Sequence, residues 1–111
     1  MKKFASLLLF CFLMVSSQQL LAKDVTVRFK IFAGKCSYSK STIKKIIKEM
    51  GGKGVQYSFK TQMVEFNFDN EEVDIMDIHK KIAEAGFKTL AAKPTTHAFK
   101  MLPACAQYNR D

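Results

Sequence analysis

The chain has 111 residues, with 18 Lys or Arg against 10 Asp or Glu and only three cysteines. One domain with a single core fits in that length, and two do not. The basic excess would suit an acidic partner or an anionic surface, but the lysines fall mostly on the solvent faces of the predicted elements. The lysine-rich stretch also lacks the aromatic interleaving that argues for nucleic acid.

The first 22 residues read as a secretory signal: Lys2-Lys3, an apolar stretch from Phe4 to Val15 too short to span a bilayer, and a Ser16 to Ala22 cleavage region. Lipidation at Cys11 is disfavoured by the bulky Leu9-Phe10 before it. Cleavage after Ala22 leaves 89 of the 111 residues and removes two of the 18 basic ones, a mature net charge of 16 minus 10, or +6. The expected product is periplasmic or secreted, with no membrane span in the mature chain. It keeps two cysteines, Cys36 and Cys105. In an oxidising compartment an even pair fits one disulfide or one two-sulfur metal site.

Val25, Val27, Phe29 and Ile31 alternate with polar neighbours and predict a first strand. Ile43, Ile46, Ile47 and Met50 follow helical spacing, and Gly51-Gly52 ends that helix. Val55, Tyr57 and Phe59, then Val64, Phe66 and Phe68, predict a hairpin across the polar Lys60 to Met63 connection. Asp74 is a natural N-cap for a second helix with the stripe Ile75, Ile78, Ile82 and Ala85, and Gly86 closes it. A fourth strand is expected over Phe87 to Ala92.

The order β-α-β-β-α-β predicts an α+β, ferredoxin-like sandwich: a four-stranded antiparallel sheet with both helices on one face. Its apolar faces make a core that needs no metal to fold. The expected organisation is a signal over 1–22, the domain over 23–92 and a tail over 93–111. In the tail, Phe99, Leu102 and Tyr108 are apolar enough to dock on the domain and carry Cys105 toward it.

A cysteine between a strand and a helix, the Val64-Glu65-Phe66-Asn67-Phe68-Asp69 strand and the Ala85-Gly86-Phe87 step together resemble the heavy-metal-associated domain. That is the small fold of copper chaperones, mercury-binding periplasmic proteins and the N-terminal modules of metal-pumping ATPases. The resemblance covers about Val25 to Ala92. Its loop motif, Gly-Met-x-Cys-x-x-Cys, aligns with Ala33, Gly34, Lys35, Cys36, Ser37, Tyr38 and Ser39, so the motif's Met is Gly34 and its second cysteine is Ser39. A hydroxyl is a poor ligand for a soft ion. Some small exported relatives end in an aromatic, Leu-Pro-x-Cys-Cys and a tyrosine; here Phe99, Leu102-Pro103-Ala104-Cys105-Ala106 and Tyr108 keep one of those cysteines.

The resemblance implies a protein that binds a soft metal ion, Cu(I) before Hg(II), at Cys36 and Cys105, and passes it by ligand exchange to a metal transporter or other metal-handling protein. The alternative is a metal-free interaction module in which Cys36 and Cys105 form a structural disulfide. A third reading is thiol-disulfide exchange, for which Cys-x-x-Cys is the usual motif. The start of a helix favours a thiolate at Cys36, with Lys35 and Lys40 near in sequence, and all three readings use that thiolate. His97 is a candidate third ligand, His79 reads as a partly exposed surface histidine, and Met63, Met101 and Phe87 read as packing residues or neighbours of the site. No catalytic constellation is visible, and an enzyme is not expected.

Overall fold

The computed structural model describes residues 24–109. The signal segment, with Cys11 and the cleavage site, lies outside the described residues. The elements are β1 (Asp24–Phe32), α1 (Ser37–Glu49), β2 (Lys53–Tyr57), β3 (Met63–Asp69), α2 (Ile75–Glu84), β4 (Lys88–Thr89) and α3 (Thr96–Lys100), followed by a 3-10 turn (Ala104–Ala106). The strands form one antiparallel sheet in the order β2-β3-β1-β4, the ferredoxin-like arrangement expected from the sequence.

Period-two alternation sets the register. Val25 to Phe29 of β1 pair with Phe68 to Val64 of β3, so the apolar residues of both strands share one face. Ile31, Val64 and Phe66 are buried there against Ile43 and Ile47 of α1 and Ile78 and Ile82 of α2, in a single core that also includes Phe87. Tyr57 closes the β2 end: its hydroxyl donates to the Ile31 carbonyl at 3.2 Å, and burial pushes its phenol up to about 12.

Both helix ends behave as the sequence predicts. The Asp74 carboxylate accepts from the Met76 N–H at 2.9 Å and caps α2. At its far end Gly86 takes φ +104°, the Gly86 N–H bonds the Ala83 carbonyl at 2.9 Å, and the Phe87 N–H bonds the Ile82 carbonyl at 3.2 Å. This is a Schellman cap, with Phe87 and Ile82 supplying its usual apolar contact. In α1, the Gly52 N–H reaches the Ile47 carbonyl at 2.7 Å in the same way.

The fourth strand is shorter than the expected Phe87 to Ala92: it is only Lys88–Thr89. The Thr89 hydroxyl oxygen accepts the Ala91 and Ala92 N–H groups at 3.2 and 3.1 Å, and the Thr89 N–H bonds the Ala92 carbonyl at 3.0 Å. Those bonds curl the chain into a turn where a strand would have continued along β1.

That turn aims the remaining chain back over the domain. Thr95 caps the short α3 by accepting from the Ala98 N–H at 3.1 Å. Leu102 and Ala106 are buried in the main core, and the Phe99 and Tyr108 rings meet edge to face at 4.9 Å. The Tyr108 hydroxyl then donates to the Gly86 carbonyl at 2.8 Å, which fastens the tail to the end of α2. Among the described residues, no helix is long and apolar enough to cross a membrane.

Candidate metal centre

Cys36 occupies the N-cap of α1 with extended backbone angles, and its carbonyl accepts the Ser39 and Lys40 N–H groups. Ser, Thr, Asp or Asn would normally cap such an end with a side-chain oxygen. A sulfur stands there instead, and no side-chain cap bond is made. No acidic residue occupies the first turn, so nothing there opposes negative charge on that sulfur. Cys36 is partly buried against the core, and the fully buried Ser39 holds its hydroxyl oxygen 3.9 Å from the Cys36 sulfur. The serine at the motif's second ligand position therefore still faces the first.

The docked tail brings Cys105 to this point. The two cysteines, 69 residues apart in sequence, are joined as a disulfide with their Cα atoms 5.8 Å apart. Cys105 itself is exposed, in the 3-10 turn whose Ala106 N–H bonds the Pro103 carbonyl at 2.9 Å.

Gly34 explains how the tail comes so close. A Cβ at this position would lie 2.6 Å from the carbonyl carbon of Ala106 and 2.7 Å from its Cα, and would also overlap the Cys105 carbonyl oxygen. Any side chain would collide with the tail's backbone, a collision that no rotamer change relieves. The position where the family motif has a methionine is thus the position over which this chain lays Cys105 and Ala106. In the structure the fully buried Ala106 of the tail packs over this position.

Other candidates separate from the pair. Among the described residues no three His, Cys, Asp or Glu side chains converge, so His97, exposed on α3, does not join Cys36 and Cys105 as a third ligand. Met101 is 71% exposed, and Phe87 is a core residue. Lys40 directs its ammonium over the Phe59 ring, 5.7 Å from the centroid.

His79 departs from the expected surface histidine. It is 8% exposed, its ring lies 4.3 Å from that of Phe29, and its Nδ1 is 2.7 Å from the Thr89 hydroxyl. The lone pairs of that hydroxyl are taken by Ala91 and Ala92, so its hydrogen goes to Nδ1, which leaves a neutral ring with the proton on Nε2. Burial lowers the His79 pKa from its ordinary value. The sequence signal for this was spacing: His79 is four residues after Ile75 and belongs to the stripe that its polarity hides.

No protein-family model matches the sequence, and a sequence comparison with curated proteins finds no match. By structure, the chain is similar to oxidized MerP from Ralstonia metallidurans CH34, at 27% identity and a TM-score of 0.55. The match covers 93% of that chain and 60% of this one. The fold thus agrees with the one implied by the heavy-metal-associated resemblance.

Proposed function

We propose that this is an exported binding protein for a soft metal ion, a carrier and not an enzyme, which takes up one ion between Cys36 and Cys105 and gives it up by ligand exchange. The observation that carries this reading is the convergence of the two sulfurs at the N-terminal end of α1, in a fold similar to that of MerP. The crosslinked pair is the oxidised state. Two external thiols reduce it, becoming a disulfide themselves, and leave two cysteine thiols whose deprotonated forms suit soft cations.

With two sulfurs and no third His, Cys, Asp or Glu beside them among the described residues, the pair fits an ion content with two thiolates. Cu(I) and Hg(II) both meet that requirement, and Cu(I) is the first choice. Export follows from the N-terminal 22 residues, and the disulfide is compatible with an oxidising compartment. The partner is a metal transporter or other metal-handling protein whose own thiolate attacks the bound ion. Because Cys105 is exposed and Cys36 is not, the tail sulfur is the ligand an incoming thiolate displaces first.

The test is thiol counting and Cu(I) titration against a competing chelator, on protein exported and then reduced, for wild type, Cys36→Ser and Cys105→Ser. The expected result is two titratable thiols and one copper held by the wild type, with retention lost in either variant. No retention by the reduced wild type would leave the disulfide as a permanent crosslink in a metal-free module.

A further inference from the structure

We propose that Cys105 is a thiolation site: a low-molecular-weight thiolate opens the Cys36–Cys105 bond by attacking the Cys105 sulfur, forming a mixed disulfide there and releasing Cys36 as the thiolate. One S–S bond breaks and one forms. The negative charge moves from the incoming sulfur to Cys36, and no further oxidant or reductant is consumed. The step needs no metal and stands apart from the proposed ion binding.

The two sulfurs of this bond are unequal targets. A nucleophile must approach along the S–S axis from behind the sulfur it attacks, so access to each sulfur decides much of the rate. Cys36 packs against the core at the start of α1, with the fully buried Ser39 hydroxyl beside its sulfur at 3.9 Å. Cys105 is exposed, and so are Pro103, Ala104 and Gln107 around it. The tail cysteine is thus the more exposed partner of the bond and the helix cysteine the more packed one.

The leaving group selects in the same direction. A disulfide opens faster when the departing sulfur is the better-stabilised thiolate. Cys36 departs into the N-terminal end of the 13-residue α1, whose first turn carries no acid, and beside a hydroxyl able to donate to it. Cys105 belongs to a three-residue 3-10 turn, and its sulfur is one bond further from that helix end. Access and leaving-group stability therefore favour the same product.

The tail need not leave the domain for this to occur. Leu102 and Ala106 remain buried and Tyr108 remains bonded to the Gly86 carbonyl, so the freed Cys36 stays close to the modified Cys105. Return attack by Cys36 on the Cys105 sulfur expels the small thiolate and restores the crosslink. Cys105 would thus be capped reversibly while Cys36 is released as a free thiolate.

The test uses the oxidised mature wild type, briefly incubated with glutathione at neutral pH, quenched with N-ethylmaleimide, and mapped by peptide mass spectrometry. The expected product carries glutathione on Cys105 and maleimide on Cys36, in about tenfold excess over the reverse pattern and in any case above about threefold. A ratio below about threefold, an excess of the reverse pattern, or no mixed disulfide at all would overturn the proposal. Because no ion is present, failure here leaves the metal titration unaffected, and failure of that titration leaves this result standing.

Discussion

Gly34→Ala should weaken the Cys36–Cys105 crosslink without touching either cysteine. The added Cβ would sit 2.6 and 2.7 Å from backbone atoms of Ala106, against about 3.5–4.0 Å for comfortable carbon contact, so the tail must retreat by about 1 Å. In the reduced protein it can do so by lifting slightly from the loop. In the oxidised protein the sulfur bond holds the two Cα atoms near 5.8 Å and resists that movement. Overpacking of this kind costs about 1–3 kcal/mol. Taking about 2 kcal/mol as the part felt only by the oxidised form, the equilibrium constant for disulfide formation should fall about 30-fold.

The assay is equilibration of wild type and variant in graded glutathione redox buffers, with the crosslinked fraction read by alkylation and intact mass. Phe66→Leu serves as the control. It weakens the core that the oxidised and reduced forms share, so it should lower stability in both and leave the redox equilibrium in place. A Gly34→Ala equilibrium constant within about threefold of wild type would refute the close approach of tail and loop described here.

Ser39→Cys restores the second sulfur of the motif beside Cys36, so adding it to Cys105→Ser should recover the copper retention that Cys105→Ser alone loses, as read by chelator competition. Tyr108→Phe removes the hydroxyl bonded to the Gly86 carbonyl and should cost about 1 kcal/mol in urea denaturation, with the crosslink still formed. His79 is held neutral in the fold and its pKa is lowered, so the unfolded chain binds the proton more readily. Stability should therefore be full above the ordinary histidine pKa and should decline as pH falls below it toward the folded value. Replacing His79 by Phe should flatten that slope between about pH 7 and pH 5, where carboxylates contribute little, as measured by denaturant midpoints across the range.

The fold was legible because each element carries its own local signal. Alternation in Val25 to Ile31 and Val64 to Phe68 set the strands, and Asp74, Gly51-Gly52 and Gly86 set the helix ends. Shortening of the fourth strand was not legible. It depends on one hydroxyl, Thr89, competing for N–H groups that β-propensity alone assigns to a neighbouring strand. His79 was misjudged because its polarity outweighed its place four residues after Ile75.

The site was half legible. Cys36 and Cys105 stood out as the pair remaining after export, and the apolar residues of the tail pointed to docking. Gly34 could be read only as a departure from the motif, because its significance is a contact with backbone some seventy residues away. Single-residue patterns carry no trace of such a contact. Nor does the sequence say which cysteine of the pair is the more exposed, since that depends on how deeply the start of α1 packs.

The most direct measurement of the proposed two-sulfur site is X-ray absorption on reduced, exported protein loaded with one equivalent of Cu(I). The expected spectrum shows two sulfur neighbours and no nitrogen in the first shell, and the Cys105→Ser protein should hold no copper to measure. A nitrogen ligand in the wild type, or copper bound with the same spectrum after Cys105 is removed, would contradict a centre built from the start of α1 and the tail.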